Sequence, residues 1–131
     1  MESQESSLGI DSLLPERSVA TSEMFSIDGE LGDYQAAGYV NPGQKGFVYV
    51  RTFDQRSGAR LSERETRKSR EYKGWSSISD RYYYFRMQFF IDEGDSDHTY
   101  PARFELWFHP DDGRPERRLM TTERSINGSA R

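Results

Sequence analysis

An all-β protein built as an antiparallel two-sheet β-sandwich is the fold class this sequence predicts, on three observations. The run Tyr82-Tyr83-Tyr84-Phe85-Arg86-Met87-Gln88-Phe89-Phe90-Ile91 separates at period two into an apolar set (Tyr83, Phe85, Met87, Phe89, Ile91) and a mixed set (Tyr82, Tyr84, Arg86, Gln88, Phe90). That is the pattern of a strand with one buried and one partly wet face. A second run answers it, because Phe104, Leu106 and Phe108 alternate with Arg103, Glu105 and Trp107. Finally, short strand candidates recur with turn signals between them, and no βαβ unit intervenes.

Taken in order, residues 1–17 read as a disordered acidic leader or linker, rich in Ser and Glu, whose few apolar residues end at Pro15. Residues 18–131 then form one sandwich domain. Met24 to Ile27 is a short strand candidate stopping at Asp28-Gly29, and Tyr34 to Val40 a weaker one ending at Asn41-Pro42-Gly43. From Phe47 to Phe53, bulky residues fall on both faces, which suits the middle of a sheet. The β rhythm breaks near 62–72. Ser62-Glu63-Arg64-Glu65 fits a capping box, predicting a short polar helix or irregular excursion, with a ragged edge strand as the alternative. Arg81–Ile91, Ala102–His109 and Glu116–Ile126 complete the domain, the last two joined through the turn residues Pro110-Asp111-Asp112-Gly113. The charged final strand suits an edge protected against aggregation.

This spacing resembles an immunoglobulin-like two-sheet module. The resemblance is one of architecture. The cysteine pair of true immunoglobulin domains is missing, so it carries no functional residue.

Composition narrows the function classes. The chain has 18 aromatic side chains (8 Phe, 8 Tyr, 2 Trp) in 131 residues, with 34 % apolar residues overall. A core resting on a few large rings follows, since each buried ring removes roughly 150–250 Å² from water. With no cysteine there is no disulfide, thiolate metal site or thiol nucleophile. No apolar run is long enough to span a bilayer, which argues against membrane insertion. No signal peptide is visible at Met1–Ser7, and composition assigns no compartment. The net charge of −4 is unevenly spread: residues 1–33 hold eight acids against Arg17, and residues 51–73 hold eight bases against four acids.

Few constellations carry chemistry. Asp92, Glu93, Asp95 and Asp97 lie within six residues, and Asp92, Asp95 and Asp97 are candidate Ca²⁺ ligands, but the spacing is not that of an EF-hand. The loop is expected to be ordered by its flanking strands rather than by a metal. His98 and His109, the two histidines, do not make the three-ligand set of a catalytic zinc site. There is no nucleophile elbow and no phosphate-cradling glycine loop. Glu105 is the one acid inside a confident strand, in an ordinary outward charge position. No catalytic residue and no cofactor are therefore assigned. Arg56, Arg60, Arg64, Arg67, Lys68, Arg70 and Lys73 form a basic stretch with Tyr72 and Trp75, the pattern of a single-stranded nucleic-acid track, although the pI of about 5.2 opposes it. Asn127-Gly128-Ser129 matches a glycosylation sequon.

Surface aromatics are the remaining surplus. If Phe85, Met87, Phe104 and Phe108 point inward, Tyr82, Tyr84 and Trp107 point outward, and neighbouring strands would align them with Arg86, Arg103 and Glu105 into a platform. Such residues are enriched at interface hot spots and also stack on sugar rings. The expectation is a non-catalytic binding module, foremost a protein–protein interaction or accessory domain of a larger assembly. Carbohydrate binding comes second and nucleic-acid binding third.

Overall fold

The computed structural model describes residues 19–20, 22–65, 70–74 and 82–128. They form nine strands in chain order: β1 (Val19–Ala20), β2 (Met24–Glu30), β3 (Asp33–Val40), β4 (Lys45–Asp54), β5 (Glu63–Glu65), β6 (Arg70–Gly74), β7 (Tyr82–Ile91), β8 (Tyr100–Pro110) and β9 (Arg117–Ile126). There is no helix among the described residues. The first sheet runs β1-β7-β3-β2, with β5 also paired to β7, and the second runs β6-β4-β8-β9. Every pairing is antiparallel.

Alternation along each strand builds the core. In the first sheet Ile27, Tyr34, Ala36, Val40, Phe85, Met87, Phe89 and Ile91 are buried; in the second, Val48, Val50, Ala102, Phe104, Leu106, Phe108 and Ile126. These side chains make one cluster. Phe104 bridges the layers, its ring centroid 6.4 Å from Tyr34 and 6.1 Å from Phe89, both on the opposite sheet. Tilted ring pairs at such distances are worth about 0.5–1.5 kcal/mol beyond the area they bury.

Around 62–72 the structure takes the edge-strand alternative and replaces the helix. Ser62 does not cap Glu65; its amide and hydroxyl donate to the Glu93 carboxylate at 3.0 and 2.9 Å. Glu63–Glu65 pairs with Ile91–Phe89 of the first sheet, while Arg70–Gly74 pairs with Tyr49–Lys45 of the second. The physical reason is the absent apolar stripe. A polar helix has nothing to bury here, whereas the edges of β7 and β4 offer backbone partners. Residues 1–17 and 66–69 lie outside the described residues.

The β2–β3 hairpin turns at Leu31-Gly32 rather than at Asp28-Gly29. Both turn residues have positive φ, 55° and 84°, as a type I′ turn requires. Leucine is a strained choice there, and the Leu31 amide donates to Asn127 Oδ1 at 2.7 Å. Asn127 ties several elements together. Its amide donates to the Tyr34 hydroxyl at 3.0 Å, and its Nδ2 donates to the Ser96 carbonyl at 3.3 Å. Nearby, Arg124 of β9 donates to the outward carbonyls of Ile27 and Gly29 on the β2 edge, each at 2.9 Å. The two sheets are thus joined along one side by polar contacts as well as by the core.

Two predictions follow from these contacts. Leu31→Gly, at a position 46 % exposed, should raise stability by about 0.5–1 kcal/mol in urea melts, because it removes the left-handed strain and forfeits little burial. Tyr100 is the second case: its hydroxyl donates to the Glu93 carbonyl at 2.9 Å, and burial, with Glu93 and Asp54 nearby, pushes its pKa up to about 12. A raised pKa means stability that is complete below pH 10 and lost as pH climbs towards 12. Tyr100→Phe should therefore flatten that alkaline loss, by about 1–2 kcal/mol after solvent screening, in melts between pH 9 and 12.

Candidate functional site

β4 and β8 lie side by side in the middle of the second sheet, so their outward residues meet in rows. The register sets Phe47 opposite His109, Tyr49 opposite Trp107, Arg51 opposite Glu105 and Phe53 opposite Arg103. Bulky residues on both faces of β4 are the sequence signal of that interior position. Aromatic plates and guanidinium groups alternate across the face. The Arg51 guanidinium lies 3.9 Å from the Trp107 ring centroid and 5.4 Å from that of Tyr49. Arg103 sits 4.7 Å from the Phe53 ring, and the His109 imidazole stacks on Phe47 at 4.8 Å with 23° between planes. With Arg51 and Arg103 still partly exposed, cation–π contacts of this kind contribute about 0.5–1 kcal/mol each.

Two carboxylates hold these plates. Glu105 is not an ordinary solvated strand charge, as it is 4 % exposed. It accepts from Trp107 Nε1 at 2.9 Å and Arg103 Nε at 3.0 Å, with Arg118 Nη1 at 3.5 Å from the same oxygen as Arg103. Burial pushes its carboxyl up, but these donors and the two positive charges outweigh burial and hold it below the usual range. Glu116, in the β8–β9 connection, does the same at the other end. Its Oε1 accepts from the Tyr49 hydroxyl at 2.5 Å and from Arg51 at 2.8 Å, and its Oε2 lies 2.6 Å from His109 Nδ1. The bond from Tyr49, then that from His109, lowers the Glu116 pKa, while burial followed by the bond to Glu116 raises that of Tyr49.

A β-bulge completes the face. Leu106 pairs with Met120 but Trp107 pairs with Arg118, so Leu119 is the extra residue of β9. Strict alternation from Met120 would turn Arg118 inward. The bulge turns it outward beside Trp107, and Arg117 takes the place over the Phe108 ring, 5.0 Å away.

The predicted platform of Tyr82, Tyr84 and Trp107 is not assembled. β7 belongs to the first sheet and β8 to the second, so the expected site divides between opposite faces. Arg103, Glu105 and Trp107 come together as described. Tyr84 instead meets Tyr39 edge-on at 5.7 Å, in register with Met24, and Arg86 donates to Gln35 at 3.0 Å. Tyr82 lies opposite Ala20 of β1. Period-two reading identifies outward residues but says nothing of which strands are neighbours. Phe47, Tyr49, Arg51, Phe53, His109, Glu116 and Arg118 are the residues it misses.

The basic stretch is also divided. Arg56 pairs with Asp54 at 2.8 Å and covers the Tyr100 ring at 4.5 Å, and Arg60 lies 5.7 Å from Phe53. Arg64 is on β5 in the first sheet, whereas Arg70 and Lys73 are on β6 in the second. Arg67 and Lys68 lie outside the described residues. In the acidic loop, Asp95 Oδ1 accepts from the amides of Asp97 and His98, both at 2.9 Å, and from the His98 ring. The His98 bond foremost lowers the Asp95 pKa. Asp92, Asp95 and Asp97 do not converge, and no group of three potential ligands does so among the described residues. A shallow depression of about 300 Å³ is lined by Asp28, Gly29, Glu30, Asp33 and Gln35, with no basic residue among them.

Compared with protein-family models, curated proteins and solved structures, the chain matches none.

The site's electrostatics set a test. A carboxyl held below its ordinary value of 4.5 contributes stability above that pH and loses it as pH falls through the lower folded value. Glu105→Gln should cost about 1–2 kcal/mol at pH 7 and progressively less below pH 4.5, measured by urea melts at stepped pH.

Proposed function

We propose that this protein is a non-catalytic binding module of immunoglobulin-like class. It serves as a protein–protein interaction or accessory domain, and the outer face of the second sheet is its contact surface. The observation that carries the reading is the Tyr49–Arg51–Trp107 stack fixed by Glu105 and Glu116. Tyr, Trp and Arg dominate interface hot spots, and side chains already locked in place lose little entropy on binding.

Strand order supports that class: β2-β3-β7 and β4-β8-β9 are neighbours as strands A-B-E and C-F-G are, while β1 and β5 on the β7 edge and β6 on the β4 edge are outside this correspondence. Tyr100, the first residue of β8, donates back to Glu93, as the tyrosine corner of that class does.

Carbohydrate binding, the second reading, needs an open ring face. Arg51 takes one face of Trp107 and His109 stacks on Phe47, so soluble oligosaccharides should leave Trp fluorescence unchanged. Nucleic-acid binding through the 51–73 stretch is weakened by its division between two sheets.

Partner recovery from the native host tests the face directly. Trp107→Ala should weaken capture by at least about thirtyfold, the equivalent of a 2 kcal/mol hot spot, while Tyr84→Ala on the opposite face leaves it intact. Loss with Tyr84→Ala alone moves the surface to the first sheet. No change with either variant removes both.

A further inference from the structure

On the outer face of the second sheet, Glu105 is hidden while the arginines that pair with it are displayed; among the described residues, Glu116 and Glu123 are the acids of that face left in reach of solvent. The Glu105 side chain is 5 % exposed, whereas its partners Arg103 and Arg118 are 36 % and 55 % exposed. Arg103 uses Nε on that carboxylate and Arg118 uses Nη1, both on Oε2. Their other guanidinium N–H groups have no partner among the described residues, and because both heads reach one oxygen they lie side by side.

We propose that this face takes an acidic peptide segment of a partner protein, with two carboxylates separated by one residue seated on Arg103 and Arg118. The inference rests on the binding-face reading above. An extended peptide presents alternate side chains on one side roughly 7 Å apart, a spacing that sets carboxylates at i and i+2 on adjoining guanidinium heads. Phe53 under Arg103 and Trp107 opposite Arg118 border the pair with ring edges, so an apolar or aromatic residue flanking the two carboxylates completes the motif. A nucleic-acid backbone is disfavoured because the protein carries a net charge of −4, which opposes an extended polyanion and tolerates a short acidic stretch.

The probe is a capped hexapeptide, Phe-Ser-Glu-Ser-Glu-Ser, titrated into the full chain while the ¹H–¹⁵N indole resonance of Trp107 is followed. Trp75→Phe identifies which of the two indole signals is Trp107. A saturable shift with a dissociation constant below about 1 mM at low salt is expected. It should weaken at least tenfold when both glutamates become glutamine, and weaken again as salt rises. Arg103→Gln with Arg118→Gln should abolish it. Because that pair leaves Glu105 poorly compensated, Arg118→Lys is measured beside it: the charge stays, the fork is lost, and a several-fold loss is expected. Equal shifts with the glutamate and glutamine peptides, no shift at all, or a stronger response to inorganic phosphate or a twelve-nucleotide oligothymidylate would overturn the proposal. If Trp107→Ala loses the native partner but the acidic peptide does not compete for it, the face stands and the acidic motif falls.

Discussion

β8 is the strand on which both the core and the candidate site depend. At Phe104 and Glu105, consecutive side chains point to opposite faces and both are shut off from water. Phe104 fills the gap between the sheets by meeting Tyr34 and Phe89. Glu105 sits directly behind it, on the outer face, and gathers Trp107, Arg103 and Arg118. Shifting β8 by one residue would exchange the two, putting a charge into the core and a ring into the polar network. The register is therefore specified twice, once by apolar packing and once by hydrogen bonding.

This double specification compensates for a lean composition. Apolar residues make up 34 % of the chain, and much of the buried volume comes from five rings, Tyr34, Phe85, Phe89, Phe104 and Phe108. A thin interior of that kind leaves the sheet edges to polar devices. Arg124 satisfies β2 carbonyls from the opposite sheet, and Asn127 joins the β2–β3 turn to the β7–β8 loop. Directional bonds of this sort give the two sheets one relative placement, which an apolar cluster alone specifies less sharply.

Strand existence was legible in the sequence because alternation over β4, β7 and β8 is strong. Boundaries failed where local chemistry was unusual. Leu31 occupies a left-handed turn position that Asn, Asp or Gly usually fills, and Ser62 spends its capping groups on a residue far along the chain. The site was half legible. Arg103, Glu105 and Trp107 share one strand, so period two unites them. Tyr82 and Tyr84 share a different strand, and the sheet to which each strand belongs is a property of the whole chain. Arg118 was the least legible, because a single extra residue at Leu119 reverses which way it points.

Asn127 shows how a sequence triplet and its folded context can disagree. Asn127-Gly128-Ser129 spells an acceptor for an N-linked glycan, and transfer would occur at Nδ2. In the folded chain that nitrogen already donates to Ser96, while the oxygen of the same amide holds Leu31. A sugar attached there would stand at the seam between two loops. A glycan would take one of the two N–H groups of Nδ2 and leave the other for Ser96, so the modified chain keeps this seam only if the sugar points away from it. The fold thus engages the acceptor amide on both its nitrogen and its oxygen before any sugar reaches it.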